Sequence, residues 1–164
     1  MDADLIALSE AVGAACRERR LLIATAESCT GGWAAQVITY TAGSSAWFER
    51  GFVTYANAAK VGMLGVRPET LEKHGAVSLE AAAEMAAGAL SNSRALISLA
   101  ITGIAGPTGG SSDKPVGTVC FGWCLKGKTP SCERRLFAGD REAIRRQAVI
   151  YALSGLIATA RNMP

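Results

Sequence analysis

Leu21-Leu22-Ile23-Ala24-Thr25-Ala26-Glu27-Ser28-Cys29-Thr30-Gly31-Gly32 is the stretch on which the fold turns. Its first five residues make a short apolar run, the mark of a strand buried on both faces. Small and polar residues follow, then two glycines, then residues from Trp33 to about Tyr40 that suit a helix. A buried strand feeding a helix through a glycine turn belongs to α/β architecture, in which ligands collect at the carboxyl ends of strands.

Upstream of that unit, Leu5, Leu8, Val12, Ala15 and Cys16 recur at helical spacing between Asp4 and Arg19, so an amphipathic helix opens the chain. Downstream, a loop with Gly43-Ser44-Ser45 leads to Gly51-Phe52-Val53-Thr54-Tyr55, whose β-branched and aromatic residues predict a strand. Asn57 reads as the cap of a short helix carrying Lys60. Arg67-Pro68-Glu69 predicts another helix start, and Ser78 caps an alanine-rich helix to about Leu90. Ile97 to Ile101 is a further apolar strand. Val116 to Leu125 alternates, with Val119, Phe121, Trp123 and Leu125 on one face and Cys120, Gly122 and Cys124 on the other. Cys132 to Phe137 pairs back on it as a hairpin, and Gly139-Asp140 opens a long helix to Ala160. Helices interleaved with strands, plus one hairpin, predict an α/β sandwich with a mixed sheet, a single domain over residues 1–164.

Composition narrows the class. Apolar residues make up 49% of the 164, charged residues 19%, and there are 18 glycines, which suits a compact chain with tight turns. A formal charge of +3 without any Lys/Arg block or aromatic platform argues against nucleic acid as a partner. No apolar run reaches the roughly 20 residues that span a bilayer, and no targeting segment is visible, so a cytoplasmic protein without a membrane partner is expected. The five cysteines are odd in number and unevenly spaced, which fits reduced thiols better than a disulfide framework. Small α/β enzymes often self-associate, so a homo-oligomer is expected.

Three strand-to-helix junctions hold the residues able to do chemistry. At the first, Ser28 stands just before a helix whose free N–H groups can stabilise an oxyanion near Thr30 and Gly31, while Gly31 and Gly32 let a ligand approach. As plain capping residues, Ser28 and Thr30 would need no further explanation. At the second, Lys60 falls in a first helical turn, where the dipole and burial both disfavour an ammonium, leaving an amine able to take a serine proton. An ordinary surface lysine is the commoner fate. At the third, Thr102-Gly103-Ile104-Ala105-Gly106-Pro107-Thr108-Gly109-Gly110 reads as an anion cradle, though it is neither a Walker loop nor a dinucleotide fingerprint. Arg141 and Arg145 share a face at the start of the final helix, where cations oppose the dipole unless an anion lies near; a solvated face with Glu142 is the other reading. Cys29 with His74 is a minority alternative for the nucleophile. Cys120 and Cys124 lack companions for zinc and read as packing. No metal and no cofactor are expected.

Taken in order, Ala26-Glu27-Ser28-Cys29-Thr30-Gly31-Gly32, Gly51-Phe52-Val53-Thr54-Tyr55 with Asn57 and Lys60, His74-Gly75-Ala76-Val77-Ser78, Thr102-Gly103-Ile104-Ala105-Gly106-Pro107, Lys114-Pro115-Val116-Gly117-Thr118-Val119 and Gly139-Asp140-Arg141 resemble the CinA C-terminal domain family over nearly the whole chain. The resemblance implies a three-layer α/β/α sandwich and, for stand-alone forms, hydrolysis of nicotinamide mononucleotide to nicotinic acid mononucleotide and ammonia. It implies Ser28 as nucleophile, Lys60 as its partner and Tyr55 as an aid to proton movement. It further implies that Thr102, Gly103 and Gly106 line the substrate pocket, and Arg145 is the candidate for the phosphate; Thr30, Gly31, Gly32 and Arg141 are candidate substrate-binding residues on the reading of the junctions themselves. Larger family members add a domain resembling molybdopterin-binding proteins, associated with pyrophosphatase activity; that second activity is expected to be absent here. A non-catalytic nucleotide-binding module is the alternative, since the same loops and Arg145 would serve it without Ser28.

Overall fold

A computed structural model describes residues 1–164. Five strands form one mixed sheet in the order β2-β1-β3-β4-β5: β1 (Ile23–Glu27), β2 (Phe48–Val53), β3 (Ile97–Gly103), β4 (Thr118–Leu125) and β5 (Ser131–Leu136). β2, β1 and β3 run parallel, and β4 and β5 complete the sheet as an antiparallel hairpin. The helices are α1 (Ala3–Arg19), α2 (Trp33–Ile38), α3 (Asn57–Leu64), α4 (Pro68–His74), α5 (Leu79–Ser91) and α6 (Arg141–Arg161). They cover both faces, giving the three-layer α/β/α sandwich that the sequence leads one to expect.

Alternation along the strands sets the layers. Ile97, Leu99 and Ile101 of β3, with Phe121 and Trp123 of β4, meet α1, α2 and α6 in the larger core cluster. On the opposite face β1 and β3 offer the small side chains of Ala24, Ala26, Ser98, Ala100 and Thr102, and against this shallow surface lies the alanine-rich α5. The approach is close enough for Ser98 Oγ to donate to the Ala86 carbonyl at 2.7 Å. A Cβ on Gly122 would come within 2.6 Å of the Ala82 carbonyl. Cys120 and Cys124 lie on that same face, are free and buried, and act as small apolar packing groups.

Most strand ends shift by a residue or two from expectation, and three boundaries differ for a clear local reason. β1 begins at Ile23, not Leu21, because Arg20 takes a left-handed conformation and the Leu21 N–H closes α1 onto the Cys16 carbonyl. β2 spans Phe48–Val53, whereas Gly51 to Tyr55 was expected; the Thr54 and Tyr55 carbonyls leave the ladder to accept from Lys60 Nζ. The cap of α3 is Ala56, without a side-chain bond, and Asn57 is the first helical residue. Ser78, Pro68 and Asp140 do start their helices as the sequence predicts.

Candidate active site

Parallel pairing of β1 with both β2 and β3 brings three chain ends to one edge of the sheet. Glu27, the last residue of β1, pairs with Val53 on one side and Ile101 on the other. Ser28, Thr54 and Thr102 therefore emerge side by side, and the Ser28 N–H donates to the Ile101 carbonyl at 2.9 Å. The three junctions singled out in the sequence form a single rim.

α3 returns to this rim from below. Its Lys60 is 1% exposed, and Nζ lies 3.0 Å from Ser28 Oγ. Two more bonds fix the amine: Nζ donates to the Thr54 carbonyl at 2.9 Å and the Tyr55 carbonyl at 3.2 Å. No carboxylate pairs with it. Burial holds its pKa below the ordinary lysine value, opposed in part by the neighbouring Cys29. Two carbonyls consume two N–H groups, so in the neutral amine the remaining lone pair is directed along the third bond, toward Ser28. That arrangement suits proton abstraction from a hydroxyl.

A cleft of about 280 Å³ opens over the pair. It brings together Ser28, Lys60, Tyr55, Thr102, Gly103, Gly106 and Arg141, and adds Asn57, Ala76 and Val77. Beside it a wider groove of about 690 Å³ holds Thr30, Gly31, Gly32 and Arg145 with Trp33 and Gln36. Arg141 lines both. The expected site residues thus occupy two adjoining hollows rather than one.

Several assignments change in detail. Tyr55 is 61% exposed; its carbonyl meets Lys60, but its hydroxyl accepts from Arg141 Nη2 at 3.1 Å and bonds neither Ser28 nor Lys60. Gly31 N–H is occupied by the Ser28 carbonyl at 3.0 Å, and the N–H groups of Cys29, Thr30 and Gly32 have no protein acceptor, those of Cys29 and Thr30 being nearest Ser28 in the chain. In the third junction the N–H groups of Ala105, Gly106, Thr108, Gly109 and Gly110 have no protein acceptor, as an anion cradle requires. Arg141 braces that loop by donating to the Gly106 carbonyl at 2.7 Å. The Cys29 thiol is buried and its pKa is pushed up to about 12, mainly by desolvation, which leaves little thiolate. His74 faces Glu80 at 3.7 Å and does not line the cleft. No three His, Cys, Asp or Glu side chains come together where they could hold a metal ion. No helix is long and apolar enough to cross a membrane.

Sequence reasoning passed over Glu27. Its carboxylate is fully buried and accepts from the Thr30 hydroxyl at 2.7 Å, Ala34 N–H at 2.8 Å and Ala35 N–H at 3.0 Å. It closes the amino end of α2 and anchors the turn that carries Ser28. A lone acid at the end of an apolar strand, one residue before a glycine turn, was the available signal.

The chain is similar to proteins of known name and structure along nearly its whole length. It is 57% identical over 155 residues to the nicotinamide-nucleotide amidohydrolase PncC of Escherichia coli K12, covering 94% of each chain. It is 50% identical to the protein of the same name from Pseudomonas putida, covering 92% of this chain and 93% of that one. The crystal structure of the competence/damage inducible protein CihA from Agrobacterium tumefaciens superimposes with a TM-score of 0.93 at 45% identity, covering 96% of both chains. The model of the CinA C-terminal domain matches residues 5–160, and with the shared fold this places the chain in the CinA C-terminal domain family.

Proposed function

We propose that the protein hydrolyses the carboxamide of nicotinamide mononucleotide, giving nicotinic acid mononucleotide and ammonia, a salvage step for pyridine nucleotides, by a serine–lysine acyl-transfer mechanism. The observation that carries the reading is Lys60 Nζ, buried without a counter-ion, 3.0 Å from Ser28 Oγ at the floor of a cleft. The names of the PncC relatives support the substrate.

In the first step neutral Lys60 takes the Ser28 proton as Oγ attacks the carboxamide carbon. The tetrahedral oxyanion is met by the uncommitted N–H groups of Cys29 and Thr30. Lys60 then returns its proton to the departing nitrogen, the C–N bond breaks, and ammonia leaves an acyl-serine ester. Water, deprotonated by the same amine, cleaves the ester and frees the carboxylate. Arg141 and the free N–H groups of Ala105, Gly106, Thr108, Gly109 and Gly110 hold the nucleotide phosphate.

Ammonia release from nicotinamide mononucleotide, followed with EDTA present, tests the reading. Ser28→Ala and Lys60→Ala are each expected to lose a factor of about 10³ or more. Undiminished turnover in Ser28→Ala would sink the serine mechanism, and loss with EDTA in the wild type would point to a metal. Tight nucleotide binding without ammonia would mark a binding module instead.

A further inference from the structure

We propose that Arg145 is a positioning residue that sets the oxyanion-binding peptide beside Ser28, and not a ligand for the substrate's phosphate. The inference rests on the acyl-transfer reading above and assigns the residue a different task from the one its sequence position suggests.

Arg145 projects from the second turn of α6 into the turn after β1. Its Nε donates to the Cys29 carbonyl at 3.0 Å and its Nη2 to the Thr30 carbonyl at 3.2 Å. The guanidinium lies over the Trp33 ring at 5.6 Å and pairs with no carboxylate. Two successive peptides are therefore gripped by one planar group whose geometry is fixed.

Stereochemistry gives this grip a consequence. In a trans peptide the C=O and N–H point in opposite directions. Drawing the Cys29 carbonyl to Arg145 turns the Thr30 N–H the other way, and that N–H has no protein acceptor. Gly31 N–H, opposed to the held Thr30 carbonyl, closes the turn onto the Ser28 carbonyl at 3.0 Å. In such a turn the N–H two residues after a serine lies within reach of the serine side chain. That is where negative charge develops on a carbonyl attacked by Ser28 Oγ. Glu27 secures the same residue from the other side through the Thr30 hydroxyl at 2.7 Å. Without Arg145 the Cys29–Thr30 peptide loses the bond that fixes its plane, and the oxyanion loses a preorganised donor, which costs about 10²–10³ in rate.

The test compares wild type, Arg145→Gln, Arg145→Lys and Arg141→Gln on two reactions. One is ammonia release from nicotinamide mononucleotide. The other is labelling of Ser28 by an uncharged fluorophosphonate ester, which carries no nucleotide phosphate and also forms an oxyanion at the attacked centre. Arg145→Gln is expected to lower kcat and the labelling rate by the same factor, about 10²–10³, with KM changed less than about threefold on the same reasoning. Arg145→Lys, which can reach one carbonyl, is expected to fall between. Arg141→Gln is expected to raise KM about tenfold or more and to spare the labelling. Thermal unfolding of each variant separates misfolding from mispositioning, and Arg145→Lys carries the comparison if Arg145→Gln does not fold. A rise in KM alone with normal labelling in Arg145→Gln overturns the inference in favour of a phosphate ligand. Wild-type protein that is labelled but releases no ammonia defeats the substrate reading while leaving this one standing. Wild-type protein that is not labelled defeats this one.

Discussion

Lys60 and Cys29 are neighbours whose protons are shifted by the same cause in opposite chemical senses. Burial lowers the pKa of the amine, making it a usable base, and raises that of the thiol to about 12, making it a poor nucleophile. Cys29→Ala is therefore expected to keep ammonia release within about threefold of wild type, since the thiol contributes packing and not thiolate. For Lys60 the sign of the pH dependence follows from the direction of the shift. The unfolded chain holds this proton more tightly than the folded one, so the folded state gains stability as pH rises from the lowered pKa toward the ordinary 10.5. Below the lowered pKa the penalty for burying the charge is constant. Urea unfolding of wild type against Lys60→Met across pH should show the difference narrowing upward through that window. The same titration should make kcat/KM climb with pH and level off below 10.5. A profile still climbing at the ordinary lysine value would remove Lys60 as the base.

Among the elements, α2 and α3 carry the consequences of residues that look incidental. Glu27 satisfies two N–H groups at the start of α2 and one hydroxyl in the adjoining turn. Glu27→Ala leaves these buried donors unpaired, and a loss of about 2–4 kcal/mol in chemical denaturation is expected. Gly88 of α5 sits where a Cβ would run into the Leu64 carbonyl at the end of α3. Gly88→Ala should cost about 1–3 kcal/mol, and by pushing α3 outward it should also depress turnover through Lys60. A stable but slow variant, seen by melting curve and ammonia assay together, is the expected signature. The elements themselves were largely legible: apolar runs marked β1 and β3, alternation marked β4, and Ser78, Pro68 and Asp140 marked helix starts. What misled was the use of backbone groups by side chains. The residues after Val53 look like strand because β-branching and an aromatic ring favour it, yet their carbonyls serve Lys60. Asn57 looks like a cap by residue type, yet Ala56 adopts the extended backbone that a cap requires.

For the molecule as a whole, the site was legible as a set of junctions and not as a geometry. A parallel β2-β1-β3 arrangement makes Ser28, Tyr55 and Thr102 share one edge, which the interleaved pattern of strands and helices implied. Distances were another matter. Nothing local in the sequence distinguishes Lys60 from a surface lysine, and its burial emerges only when α3 is laid against α5 and the sheet. Nor could spacing reveal that Arg141 and Arg145, one helical turn apart, divide between a loop carbonyl with a tyrosine hydroxyl and the carbonyls beside Ser28.

That α6 reaches across the molecule to the turn after β1 has a consequence in time. A growing polypeptide emerges amino end first, so Ser28 and Lys60 are made more than eighty residues before Arg145. Until α6 folds back and grips the Cys29 and Thr30 carbonyls, the hydroxyl–amine pair faces a loose backbone. Hydrolytic competence should then rise late in synthesis, and a chain stalled on the ribosome before α6 emerges should consume its substrate at least about a hundredfold more slowly than the released protein.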